Sequence, residues 1–440
     1  MRIRDITLKN VRKFGSEATA IQFDKEKHVS IILANNGCGK TTILDSIAVM
    51  LSPYIVRFIN KGMRQFTQAD IHVLDNEQVA DYLECKLNLY DINNPQVVEA
   101  TRTLKGSGID IPSSNLSFLT NSADHLKRNI QNGLDDWLPI LAYYGTGRGK
   151  IDVIERKRNF QQAFARWDCY GGGALEAASD FKTFLAWFDL MEDEERRIKL
   201  ETRDLQYQHP LLEAVRKALS SVFSLMDIGN VINPRIELHP IRFVVDEILA
   251  DGSTKEMRLD NQLSDGYRIL IAMTADIAYR MATANPNMGD TILLTPGVVL
   301  VDEIDLHLHP KWQYKVLYAL HKTFPNIQFI VTTHSPVIVI GAQEIAQVIH
   351  LQEDGQVTPF DIKSIQHDNV NLLLLGQLFG LPNVYAPQYQ RIKEEREELI
   401  CKDQLSLAEQ QRLADLDNQM HNYDSSLGTD MRHLIDLLSK

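Results

Sequence analysis

Basic residues are in short supply in these 440 residues: 46 lysines and arginines face 58 aspartates and glutamates, a net charge of −12 at pH 7. That excludes a uniformly cationic surface laid over nucleic acid, while leaving room for one local basic groove. Cysteine is scarcer still. Cys38, Cys85, Cys169 and Cys401 stand far apart with no C-x-x-C pair, which argues against a disulfide scaffold or a zinc ribbon and fits a reducing compartment. No apolar run nears the ~18 residues that a membrane helix needs. The opening Met1-Arg2-Ile3-Arg4-Asp5 is not that of a secretory leader. Internal repeats and low-complexity tracts are missing as well. The expectation is a soluble, cytoplasmic chain with no membrane partner. What is there is ordinary globular material, 44% hydrophobic and 24% charged, long enough for two or three substructures at about 150 residues each.

Three short runs are apolar at consecutive positions: residues 28–34 (HVSIILA), 297–301 (GVVLV) and 327–331 (IQFIV). Strands of that kind are buried on both faces, the habit of parallel sheets. Residues 79–90 behave differently. There Leu83, Cys85, Leu87 and Leu89 alternate with Glu84, Lys86 and Asn88, so this strand keeps one solvated face and is expected to be antiparallel. Ile43, Leu44, Ile47, Ala48 and Leu51 form an apolar helical stripe behind Thr41-Thr42. Between residues 159 and 225 lie long helical stretches broken by Gly171-Gly172-Gly173 and His209-Pro210. Their heptads do not persist, so a compact helical insertion is expected and not a long coiled coil. Helix returns from about Asn369, with Ser406 and Glu409 forming a capping box.

Ala34-Asn35-Asn36-Gly37-Cys38-Gly39-Lys40-Thr41 follows a buried strand and opens an amphipathic helix. This is the P-loop pattern with alanine at the first glycine position. Glycines there let backbone N–H groups converge on phosphate oxygens, and the helix N-terminus adds positive potential. The expected nucleotide-binding set is Asn35, Asn36, Gly37, Cys38, Gly39, Lys40, Thr41 and Thr42. Lys40 reaches the terminal phosphates of ATP, and the Thr41 hydroxyl ligates Mg²⁺. Cys38 invites a reading as a reactive thiol, but a small residue tolerated in the loop is the simpler one. GVVLV runs into Asp302-Glu303. Asp302 takes the second protein position on Mg²⁺ and Glu303 the general base toward water. His334, after the third buried strand, stands where a neighbouring parallel strand delivers it to the γ-phosphate. Ser264-Asp265-Gly266 opens the apolar helix ILIAMTADIA and makes a second anion site. It cannot serve its own P-loop once that is filled, so a two-fold dimer with each Ser264 loop over the partner's ATP is the economical solution.

The order of these motifs, with DEIDLHLHP and FIVTTHSP, resembles ABC-type ATPases of the SMC, RecF and OLD branch. ILAYYGTGRGK, LSDGYR and VNLLLLGQLFG are similar to the PtuA-type ATPases of Septu and retron-associated anti-phage defence systems, over nearly the whole chain. The implied fold is an α/β P-loop NTPase of ABC/SMC-like type: a mixed parallel core sheet, an antiparallel subsheet, a helical insertion and a helical C-terminal tail. The implied domains are an ATPase lobe at 1–150, the insertion at 151–230, a second ATPase lobe at 231–365 and a helical region for oligomer or partner contact at 366–440. Arg12, with Lys13, resembles the nucleotide-side loop of RecF-like proteins, and Asp305 a dimer-contact loop residue. The resemblance further implies an ATPase whose output is conformational and whose partner is an HNH nuclease of the PtuB kind. It leaves open a retron reverse transcriptase with its msDNA, and phage or host nucleic acid. No nuclease constellation is visible in the chain itself.

Relatives place a glutamine after the strand that ends the first lobe; here the loop reads Tyr143-Tyr144-Gly145-Thr146-Gly147-Arg148. Either hydrolysis is slow, or Thr146 or Arg148 substitutes, or the loop is an ordinary glycine turn. Arg148, Lys150, Arg156, Lys157 and Arg158 form the densest basic cluster, read as a nucleic-acid track or as a solvated face. His307 and His309 beside Asp305 suggest a metal site only if a third ligand exists. The alternatives are a RecF/SMC-like DNA-repair or DNA-binding ATPase, and a scaffold that binds ATP without hydrolysing it.

Overall fold

The structure is a computed structural model. It describes residues 1–59, 62–74, 77–90, 97–108, 111–148, 164–177, 182–228, 230–238, 241–249, 251–258, 264–352, 355–360, 378–379, 387–402 and 406–420. Leu263, Lys150, Arg156, Lys157, Arg158 and residues 361–377, all named above, lie outside them. The chain forms two compact units, Met1–His367 and Asp368–Lys440.

The first unit opens with β1 (Arg2–Lys9), β2 (Thr19–Gln22), β3 (Val29–Leu33) and α1 (Lys40–Val56). Next come β4 (Tyr82–Tyr90), β5 (Val97–Lys105), α2 (Ser117–Gln131) and β6 (Ile140–Tyr144). α3 (Lys182–Thr202) and α4 (Pro210–Met226) precede β7 (Asn230–Leu238), β8 (Ile241–Ile248) and β9 (Thr254–Arg258). α5 (Asp265–Ala284), β10 (Gly297–Val301), α6 (Pro310–Thr323) and β11 (Ile327–Thr333) follow. α7 (Pro336–Gly341), β12 (Ala346–Leu351) and β13 (Val357–Phe360) complete the unit.

Among the described residues these strands make three sheets. The six-stranded one runs β13-β12-β3-β11-β10-β6, parallel throughout except for the β13 edge. Every residue of β3, β6, β10 and β11 is buried, as the three apolar runs required; β6 joins them as a fourth strand of the same kind. The second sheet, β2-β1-β4-β5, is antiparallel. On β4 the odd residues are buried and the even ones half-exposed, which bears out the alternation. β7-β8-β9 form a small antiparallel sheet of their own.

Helix α1 is buried almost all round, well beyond the single apolar stripe, because it packs against β4, β5 and α2 as well as β11 of the core sheet. Gly172 and Gly173 take left-handed φ of 62° and 71°, making the expected break before α3. Pro210 begins α4 with His209 as N-cap. α4 packs on α5 and α6, so the second of the two long helices is fastened to the rest of the first unit.

The second unit contains α8 (Pro387–Ile400) and α9 at residues 407–420. Ion pairs Arg396–Asp417, Arg412–Glu395 and Lys402–Glu409 tie them together. The capping box forms as expected: Ser406 N and Oγ both donate to Glu409 Oε2, at 2.9 and 2.7 Å, and Glu409 N donates to Ser406 Oγ at 3.4 Å.

Candidate nucleotide site

In-register pairing sets the site. Leu33 lies opposite Thr333, and Val301 opposite both Val331 and Tyr144. The loops after β3, β6, β10 and β11 therefore leave from one edge of the sheet, its carboxyl edge, where open α/β sheets bind ligands. The P-loop, Gly145, Asp302 and His334 are neighbours for that reason alone.

The P-loop closes onto α1 through two left-handed glycines, Gly37 at φ 77° and Gly39 at φ 104°. Residues 35–37 are exposed, whereas Cys38 is buried, which removes the basis for treating it as an accessible thiol. Lys40 donates from Nζ to the Ala34 and Asn35 carbonyls at 2.8 and 3.1 Å. Its ammonium pKa is lowered by burial, against the opposing pull of Cys38, Glu303, Asp302 and Asp305. These groups are thus electrostatic neighbours around one cation.

Asp302 is the centre of a hydroxyl clamp. Thr41 Oγ1 donates to its Oδ2 at 2.8 Å and Thr332 Oγ1 to its Oδ1 at 2.5 Å. The Thr332 hydroxyl also accepts the Glu303 N–H at 2.7 Å. A threonine hydroxyl beside an aspartate carboxylate is a hard-oxygen pair suited to a small divalent cation with remaining positions for water and phosphate. Glu303 sits at φ 48°, a conformation that an L-residue holds only where its surroundings enforce it. Asp305 accepts the Thr333 hydroxyl at 2.5 Å. His334 is half-buried; burial and then Lys40 lower its pKa, with Asp305, Glu303 and Asp302 opposing.

Some contributors escaped the sequence reading. Asp45, one turn beyond Thr41, binds Arg12 at 2.8 Å, Arg64 at 2.7 Å and the Tyr143 hydroxyl at 3.2 Å. An acidic residue four positions after the P-loop threonine was the available signal. Arg12 also pairs with Asp70 at 2.8 Å. Its neighbour Lys13 instead reaches over the P-loop, its Nζ 3.6 Å from where a Cβ on Gly37 would lie.

The loop after β6 requires a correction. Arg148 belongs to neither a solvated face nor a nucleic-acid track: it is 1% exposed. Its guanidinium donates to the carbonyls of Asp302 at 2.5 Å, Glu303 at 2.6 Å and Gly145 at 3.1 Å.

Ser264 is the N-cap of α5 and its side chain makes no capping bond. Ser264 and Asp265 are exposed and Gly266 is buried. A Cβ on Gly266 would collide with the His307 carbonyl oxygen. Asp265 pairs with Arg268, and the Tyr267 ring meets Trp312 edge-on at 4.4 Å. His309 serves as N-cap of α6, its Nδ1 accepting the Lys311 N–H at 3.3 Å.

Fold and site together define a P-loop NTPase of the SMC/ABC type. Comparisons with known proteins agree. The SMC head bound to the C-winged helix domain of ScpA matches with a TM-score of 0.50 and 16% identity, over 83% of this chain and 100% of that one; at that identity the likeness speaks for the fold alone. The family described as "AAA domain" matches residues 5–225. One described as "AAA domain, putative AbiEii toxin, Type IV TA system" matches residues 180–340. The chain belongs to the AAA domain family and is an ATPase.

Its curated relatives narrow this further. "Retron Ec83 probable ATPase" of Escherichia coli is 28% identical over 434 residues, 87% of this chain and 73% of the relative. "Retron Vc95 probable ATPase" of Vibrio cholerae serotype O1 biovar El Tor is 26% identical, covering 77% and 71%. "Septu protein PtuA" of Bacillus thuringiensis is 28% identical, covering 87% and 88%. The similarity is to PtuA-type ATPases of defence systems, as the motifs implied. Within the described residues, no helix is long and apolar enough to cross a membrane.

Proposed function

We propose that the chain binds Mg²⁺-ATP head-to-tail across a homodimer, singly or within a higher oligomer, and hydrolyses it to regulate an HNH nuclease subunit of an anti-phage defence complex. The observation that carries the chemistry is the Asp302 clamp: Thr41 from the phosphate loop and Asp302 from the end of β10, two strands over from β3, meet at 2.8 Å. Thr41 and Asp302 would hold Mg²⁺, which supplies charge neutralisation of the β- and γ-phosphate oxygens.

Lys40 and the P-loop amides bind the phosphates, and Lys13 adds a second cation beside Gly37. Glu303 takes the proton of the attacking water, and its held backbone keeps the carboxylate aimed. The neutral form of His334, favoured by its lowered pKa, donates a single hydrogen bond from its ring N–H to a γ-phosphate oxygen. Ser264 and Gly266 of a second copy complete the anion cradle with the N-terminus of its α5. Asp305, hydrogen-bonded to Thr333, lies on the same loop as His307, whose carbonyl touches Gly266. Nucleotide and dimer seam are thereby connected within one subunit.

ATP favours the closed dimer by its differential affinity for it, and the partner nuclease reads that equilibrium. A reverse transcriptase with msDNA, or phage or host nucleic acid, would act as further partners by biasing it. The test is Glu303→Gln. ATP binding is retained, phosphate release falls about 10²–10⁴-fold, and ATP shifts the protein to a stable dimer in sedimentation. Unchanged turnover and an ATP-independent mass would refute the reading.

A further inference from the structure

The loop that lacks the relatives' glutamine carries a buried cation instead. Arg148 reaches back from the turn after β6 and binds the peptide carbonyls of Asp302 and Glu303 with its two terminal nitrogens, and Gly145 with one of them. Its own N–H bonds to Gly145 O at 3.3 Å. The turn itself is anchored, since Gly145 N donates to Ala177 O at 2.9 Å and a Cβ at Gly145 would strike Ala177. On the far side of the same two residues, Thr332 takes the Glu303 N–H at 2.7 Å while its hydroxyl grips the Asp302 carboxylate. The Asp302-Glu303 backbone is therefore held from both sides, with Glu303 at φ 48°.

We infer that Arg148 is a positioning residue: it fixes the two peptide planes that flank the Glu303 Cα, and hence the direction of the Glu303 carboxylate, in place of a glutamine at this loop. A planar fork that satisfies two adjacent carbonyls is something arginine offers and lysine does not. The cation is buried without a hydrogen-bonded carboxylate among the described residues. Burial lowers its pKa to about 10, with Asp302, Asp305 and Glu303 opposing, so it stays charged at neutral pH. Such burial is unfavourable for folding alone, which argues for a role at the site. The role does not need the in-trans arrangement, but it rests on the proposal that Glu303 is the base.

The test uses the full chain and steady-state phosphate release, with binding of a fluorescent ATP analogue measured separately. Arg148→Met lowers kcat about 10²-fold with KM and analogue affinity within two-fold of wild type, and Arg148→Lys falls between the two. In a Glu303→Gln background, Arg148→Met brings no further loss, because it acts through the group already removed. Wild-type kcat in Arg148→Met overturns the inference. So do multiplicative losses in the double variant, or loss of analogue binding together with turnover in both Arg148→Met and Arg148→Lys. Full turnover in Glu303→Gln by itself would sink the function proposed above, so the two failures are told apart.

Discussion

The P-loop and the Ser264 loop, the two ends proposed to meet phosphate, are finished to different degrees. Around the P-loop, polar groups are paired within the chain: Lys40 on two carbonyls, Asp302 between two hydroxyls, Asp305 on Thr333, Arg148 on the peptide carbonyls behind them. At the Ser264 loop the scaffold is fixed and Asp265 pairs with Arg268, but the Ser264 side chain makes no capping bond. Gly266 presses on His307 O and Tyr267 packs on Trp312, while Ser264 and Asp265 face solvent. The buried Gly266 packs the loop onto the His307 loop, while Ser264 stays exposed. In the proposed function, this contrast separates the loop that holds phosphate from the loop that completes the site.

The largest effect expected breaks the contrast outright. Lys40→Ala removes nucleotide binding and turnover, whereas Ser264→Arg leaves nucleotide binding intact and removes turnover alone. A mixture of the two variants regains roughly a quarter of wild-type phosphate release, since half the dimers then carry one intact composite site. No recovery on mixing would place both loops in the same site of one chain.

Next in size is Gly266→Ala. Its Cβ has no room beside the His307 carbonyl, so α5 or the His307 loop must shift, at about 1–3 kcal/mol of stability. Turnover should fall at least ten-fold with analogue binding unchanged. Equal loss of binding would mean that the two ends are not separable.

Within the P-loop end, Lys13→Ala should raise the KM for ATP several-fold more than Arg12→Ala. Arg12 is held in exposed ion pairs to Asp45 and Asp70, each worth at most about 1 kcal/mol. The reverse order of KM values would restore Arg12 to the phosphate side.

The smallest effect is on pH. His28, His209, His321, His334 and His350 all have lowered pKa values, chiefly from burial. Unfolding raises them toward the usual ~6.5, so the unfolded chain binds more protons below that pH. The stabilising contribution is complete above about 6.5 and is lost as pH falls through the folded values. Thermal unfolding should therefore drop by a few degrees from pH 7.5 to 5.5. His334→Asn should remove a share of that drop, and an unchanged slope would exclude His334 from it.

Much of the fold was legible because its signals are local. Consecutive apolar residues in β3, β10 and β11 can only be buried on both faces, and the alternation in β4 leaves one face for a solvated antiparallel sheet. Ser406 and Glu409 closed their box as written, three residues apart. The P-loop glycines were readable for the same reason: a left-handed φ is a property of one residue. Arg12 and Lys13 were legible as a pair but not individually. Adjacent residues of the same charge carry no local mark of which turns toward Asp45 and which toward Gly37.

The amino-acid sequence by itself determined strands β3, β4, β10 and β11, the phosphate-loop turn and the order of the motifs, since each depends on backbone preference or on periodicity within a few residues. Tertiary structure alone decided that Arg148 is buried beneath Asp302 and Glu303, and that Asp302 lies between Thr41 and Thr332. Those bonds join residues far apart in the chain, through side chains with several free torsions. Parallel pairing of β6, β10, β11 and β3 brings their ends together, and only then does the geometry of the site exist.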